Sequence, residues 1–107
     1  MTPQRDHATA LRALLAKVEA GEWIGDLPRP TILHTDLCWK AFNGSLDAAK
    51  AIHGAVIPGW DWLIGSQGEA AVFFGEHGPR FDAANIHPAR AWLIAILRAL
   101  IEEGETP

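Results

Sequence analysis

The chain has one cysteine, Cys38, so it can form no internal disulfide, and most cysteine-rich zinc sites are excluded. It has no tyrosine. No stretch reaches the ~18 uninterrupted apolar residues of a membrane-spanning helix. Surplus positive charge is missing too: nine Lys and Arg stand against thirteen Asp and Glu, a net charge of −4. That balance speaks against an electrostatic binder of DNA, RNA or an anionic bilayer. The first twenty residues carry Arg5, Asp6, Arg12, Lys17 and Glu19 at regular intervals, which is no secretory leader, and a cytoplasmic chain is expected. No GxSxG, HExxH or Cys-x-x-Cys motif occurs. Gly65, Gly68, Gly75 and Gly78 lack the spacing of a phosphate loop. An enzyme is therefore not expected, and neither is a cofactor.

What remains is an ordinary globular composition. The 107 residues are 49% hydrophobic and 21% charged, enough for one self-sufficient core over 1–107, with 1–2 and 104–107 as flexible ends. Thr2-Pro3 is a helix start, and Ala8, Leu11, Leu14, Leu15 and Val18 share one face until Gly21 ends the helix. Pro28 and Pro30 place a loop over 22–31, with Trp23, Ile24 and Leu27 turned back onto the core. Thr35 caps a short helix over 36–42 that Asn43-Gly44 breaks. Ser45 caps the next helix, with Asp47 in its first turn; Asp47, Lys50 and His53 form its narrow polar stripe.

The period then changes from 3.6 to 2. Residues 60–64 read as a strand with Trp60, Trp62 and Ile64 on one side and Asp61 on the other. Gly65-Ser66-Gln67-Gly68 is a hairpin connection, and 69–74 return as a strand apolar enough to expect cover on both faces. Residues 80–83 form a short edge strand. Pro88 opens the last helix, with Asn85 or His87 near its cap. Leu93, Ile94, Ile96, Leu97, Leu100 and Ile101 fill most of its circumference, leaving Ala91, Ala95, Arg98 and Glu102 as the wet strip. The expected architecture is α+β: a two- to three-stranded antiparallel meander packed against helices, in the order ααα-βββ-α.

Three segments, Gly44 to Ala51, Pro58-Gly59-Trp60-Asp61-Trp62 and Pro88-Ala89-Arg90-Ala91-Trp92, together resemble small, uncharacterised phage and prophage proteins built as a short alpha-beta-alpha sandwich. The similarity of pattern spans residues 8 to 103. In that family the last motif begins Asn-Pro-Ala, whereas here Ile86 and His87 separate Asn85 from Pro88. The resemblance implies origin and architecture, and no catalytic residue is carried over from it.

Arg90 is the most informative candidate. It lies in the first turn of the last helix, where the helix dipole disfavours a cation, and on that helix's apolar side. Such a cation needs an internal carboxylate (Asp82, Asp61 or Glu69), a carbonyl, or an anionic ligand bound with His87 and the free N–H groups of the helix end, and the internal ion pair is the expected case. The five tryptophans are expected to pack mostly in the core, with at least one lining a groove or subunit contact. The proposed ligand site is therefore Trp60, Trp62, His87 and Arg90. His34, Asp36 and Cys38 alternate, but side chains there diverge if a helix starts at Asp36, so no metal is expected. His7 reads as a capping or satisfied histidine.

Two functions follow as expectations. The first is a non-enzymatic phage or prophage accessory protein that binds a host protein or sequesters a small anion such as a nucleotide. The second is a structural or regulatory homo-oligomeric module with no small-molecule site. A homo-oligomer fits either, because an apolar hairpin in a small domain leaves an edge or face that wants cover.

Overall fold

A computed structural model describes residues 3–22 and 36–105. The elements are α1 (Pro3–Glu19), α2 (Asp36–Phe42), α3 (Leu46–Val56), β1 (Asp61–Ile64), β2 (Glu69–Phe73), β3 (Arg80–Ala84) and α4 (Pro88–Glu105). This is the expected α+β order. The strands form an antiparallel meander, β1-β2-β3, with Trp62 opposite Val72 and Val72 opposite Phe81. The expected loop over 22–31 beyond Glu22, the caps at Thr2 and Thr35, and the side chains of His7 and His34 lie outside the described residues. So do the ends 1–2 and 106–107, while 104–105 belong to α4.

Alternation along the strands decides which face meets the core. Trp60, Trp62, Ile64, Ala70, Val72, Phe81 and Ala83 face α4, and Ala70 and Val72 are fully buried there. Asp61, Leu63, Glu69, Phe73 and Asp82 alternate with them and lie on the outer face, where Leu63 is 56% exposed. Among the described residues no helix packs on that outer face. Of the cover expected on both faces of β2, the described helices supply the inner one; on the outer face Ala71, between Leu63 and Asp82, is buried, and Phe73 is half-buried beneath the Arg80 guanidinium.

α4 is the centre of the molecule. It touches β2 and β3 on one side and α1, α2 and α3 on the others. Leu93, Ile96 and Leu97 have no exposed surface. The same surroundings correct the expected wet strip: Ala91 and Ala95 are fully buried, and only Arg98 and Glu102 of that strip reach water. Alanine at those two positions leaves room for a neighbouring helix to approach. α1 packs on α4, burying Leu11, Leu14 and Val18 as its periodicity requires.

Local chemistry fixes the joints. Ser45 caps α3, its hydroxyl accepting from the Ala48 N–H at 3.1 Å. Gly68 closes the first hairpin at φ +87°, and a β-carbon there would collide with the Asn85 carbonyl oxygen. Before α4, the Asn85 side-chain oxygen accepts from the His87 N–H at 3.0 Å, a local turn that places Pro88 at the helix start.

Candidate functional site

His53 joins the tryptophans into one cluster. Sequence periodicity places it in the polar stripe of α3, but it is only 2% exposed. The ring sits edge-on to Trp62 at 5.1 Å and to Trp92 at 5.7 Å, and Trp62 stacks on Trp92 at 5.4 Å. Its hydrogen bonds fix its tautomer. The Trp92 indole N–H can only donate, and it lies 3.1 Å from Nδ1, so Nδ1 carries no proton. The proton is therefore on Nε2, which donates to the Trp60 carbonyl at 2.8 Å. Both ring nitrogens are satisfied, so the buried histidine is a neutral cross-brace between α3, α4 and the start of β1.

The four residues of the expected ligand site fall into different surroundings. The Trp60 ring stacks with Phe81 at 6.1 Å and tilts against Phe74 at 5.8 Å. Trp62 belongs to the His53–Trp92 cluster and is still 42% exposed, with the Lys50 ammonium 5.6 Å above its ring. His87 is exposed at the start of α4. Arg90 points elsewhere, toward α2: its Nε donates to the Phe42 carbonyl at 2.9 Å, and the guanidinium lies 3.9 Å above the Phe42 ring. No described contact joins Arg90 or His87 to Trp60 or Trp62.

This arrangement replaces the internal ion pair expected for Arg90. Asp61 and Glu69 lie on the outer face of the sheet, and Asp82 pairs with Arg80 at 3.0 Å. Arg90 instead meets helix ends. The Phe42 carbonyl closes α2, and Nη1 lies 3.6 Å from where a β-carbon on Gly21 would stand, just past the end of α1. Carbonyls at helix C-termini carry partial negative charge, so they offset the misfit of a cation at the N-terminus of α4. Ring stacking adds to this. Arg90 thus ties the first turn of α4 to the end of α2, with its Nη1 beside the end of α1.

The sheet edges differ from each other, and sequence reasoning did not anticipate this. The bond from the Gly65 N–H to the Glu69 carbonyl sets the ladder phase: Asp61 and Leu63 bond toward β2, while Trp60, Trp62 and Ile64 direct their N–H and C=O groups away from it. Trp60 has partners for both, its N–H on the Ile57 carbonyl and its carbonyl on His53. Among the described residues nothing partners the four remaining groups of this edge, the N–H and C=O of Trp62 and Ile64. At the opposite edge, β3 is guarded. An Arg98 Nη1 donor occupies the outward Asp82 carbonyl while its Nη2 holds Glu19, and the Arg80–Asp82 ion pair lies along the strand.

Two shallow depressions are lined by described residues alone: about 240 Å³ beside Phe73, Glu76 and Arg80, and about 280 Å³ beside Leu15, Phe81 and Arg98. Neither gathers a nucleophile with a base. Among the described residues no group of three His, Cys, Asp or Glu side chains could hold a metal ion, and Cys38 is buried. No described helix is long and apolar enough to cross a membrane. In comparison with family models, curated proteins and solved structures, the chain matches none.

Proposed function

We propose that this chain is a non-enzymatic protein-interaction module, of the phage-accessory kind that its motifs resemble, and that its contact surface is the β1 edge of the sheet. The observation that carries this reading is the asymmetry of the two edges. β3 is closed by Arg98 and a charge pair, whereas β1 presents four free backbone groups flanked by exposed Trp62 and Leu63. A free strand edge beside apolar side chains is the surface that accepts another chain by strand addition. The competing reading, sequestration of a small anion at Trp60, Trp62, His87 and Arg90, draws less support. Those residues do not converge, and the Arg90 Nε and ring stacking are committed to Phe42.

Two measurements test the proposal. In dilute solution, hydrogen exchange of the Trp62 and Ile64 amides is expected to be fast while the Leu63 and Val72 amides are protected; slow exchange at 62 and 64 overturns it. Titration with ATP, GTP, pyrophosphate and inorganic phosphate, followed by tryptophan fluorescence, is expected to give no saturable change. A saturable change lost in Arg90→Ala, in a variant shown to be folded, restores the anion reading instead.

A further inference from the structure

Resting on the β1 edge as the contact surface, we infer that its occupant is the β1 strand of a second copy, in one specific register. A twofold axis perpendicular to the sheet keeps inner faces with inner faces, so paired residues have the same parity and the axis passes between a residue and its own symmetry mate. Four registers satisfy this within β1; those centred on Asp61 and Trp62 both call on Trp60, and the one centred on Ile64 pairs only Ile64 with Ile64 inside the strand. Centred on Trp62, the ladder would need the backbone groups of Trp60, which are already bonded to Ile57 and His53. Only the pair Trp62–Trp62 would then form its bonds. Centred on Leu63, Trp62 faces Ile64 of the second copy on both sides of the axis, and every free N–H and C=O of the edge is used in four hydrogen bonds. The two Leu63 side chains then meet as the close, non-hydrogen-bonded pair, and Leu63 is the most exposed apolar residue of the strand, at 56%.

The same register sets the strength of the association. A four-residue edge with its flanking side chains covers roughly 400 Å² per copy, about half of the ~800 Å² of a standard stable interface, so the dimer is weak and forms in the high-micromolar range. One contact opposes it. Asp61 of each copy faces Gly65 of the other, and the Glu69 carboxylate lies over Gly65 on the same outer face, because a β-carbon on Gly65 would run into it. Like charges directly opposite each other in a ladder are destabilising.

Sedimentation equilibrium on the full chain, from low micromolar to about 1 mM, tests this. The wild type is expected to pass from monomer to dimer, and Leu63→Lys to stay monomeric with an unchanged circular dichroism spectrum. Asp61→Asn is expected to dimerise at several-fold lower concentration, while Glu76→Gln, with the same charge change in the β2–β3 turn, matches the wild type. Under mild oxidation Leu63→Cys is expected to form a covalent dimer, since non-hydrogen-bonded partners stand about 4.5 Å apart at Cα, while Gln67→Cys in the hairpin does not. Should Leu63→Lys fail to fold, this cysteine pair carries the test alone. A wild type that stays monomeric, a dimer that survives Leu63→Lys, or equal crosslinking at 63 and 67 overturns the proposal. None of these outcomes touches the module reading, which fails on the exchange and anion measurements instead.

Discussion

Substituting His53 by Phe keeps a flat ring of similar size in the aromatic cluster and removes both nitrogens. Two buried or half-buried groups then lose their partners: the Trp92 indole N–H and the Trp60 carbonyl. An orphaned buried polar group costs about 1–3 kcal/mol. The Trp92 side chain is 3% exposed and bears the full penalty, while the Trp60 carbonyl, at the start of the edge strand, recovers part of it from water. The expected loss is about 2–4 kcal/mol, a large share of the roughly 5–15 kcal/mol that holds a domain of this size. Trp92→Phe alone orphans His53 Nδ1 and loses part of the stacking on Trp62, for about 1–3 kcal/mol. In the double variant no orphaned indole or imidazole nitrogen remains, so the combined loss is expected to fall short of additivity by about 1–2 kcal/mol. Urea denaturation followed by circular dichroism measures all four corners without relying on tryptophan emission. Additive losses, or a His53→Phe loss below about 0.5 kcal/mol, would refute the cross-brace.

Three further outcomes can be measured in the same way. Gly68→Ala is expected to lose about 2–4 kcal/mol, since its positive φ and the Asn85 carbonyl both resist a β-carbon, whereas Gly65→Ala meets only the movable end of Glu69 and loses less. Arg90→Lys keeps the charge but not the Nε bond or the flat stack on Phe42, and is expected to lose about 1–2 kcal/mol. Ser45→Ala removes the α3 cap and is expected to lose about 1 kcal/mol.

The elements were legible because their signals are local. Ser45, Pro58-Gly59, Gly65 to Gly68 and Pro88 are punctuation that the backbone obeys, and the change of period at Trp60 marks the first strand to within a residue. The orientation of Asp61 away from Trp60 and Trp62 followed from alternation alone. What escaped depended on which elements meet. His53 looks polar on a wheel of α3, and only Trp62 and Trp92, arriving from β1 and α4, bury it. Ala91 and Ala95 look indifferent until neighbouring helices close over them. The misplaced charge of Arg90 calls for a carboxylate, a carbonyl or an anion, but that the partner is the carbonyl and ring of Phe42, 48 positions earlier, is something no charge pattern reveals. The expected ligand site grouped residues by chemical type, and the fold distributes them over separate contacts.

The central position of α4 bears on how the protein is made. Residues 3–84 leave the ribosome before the helix that contacts α1, α2, α3 and two strands of the sheet. Until Leu93, Ile96 and Leu97 arrive, the nascent α1 and the hairpin lack the helix against which they bury their greasy sides. The hairpin must wait with Trp62 and Val72 uncovered. Assembly therefore waits until α4 has been made, and a stall or premature stop before Pro88 releases a sticky fragment rather than a smaller working domain.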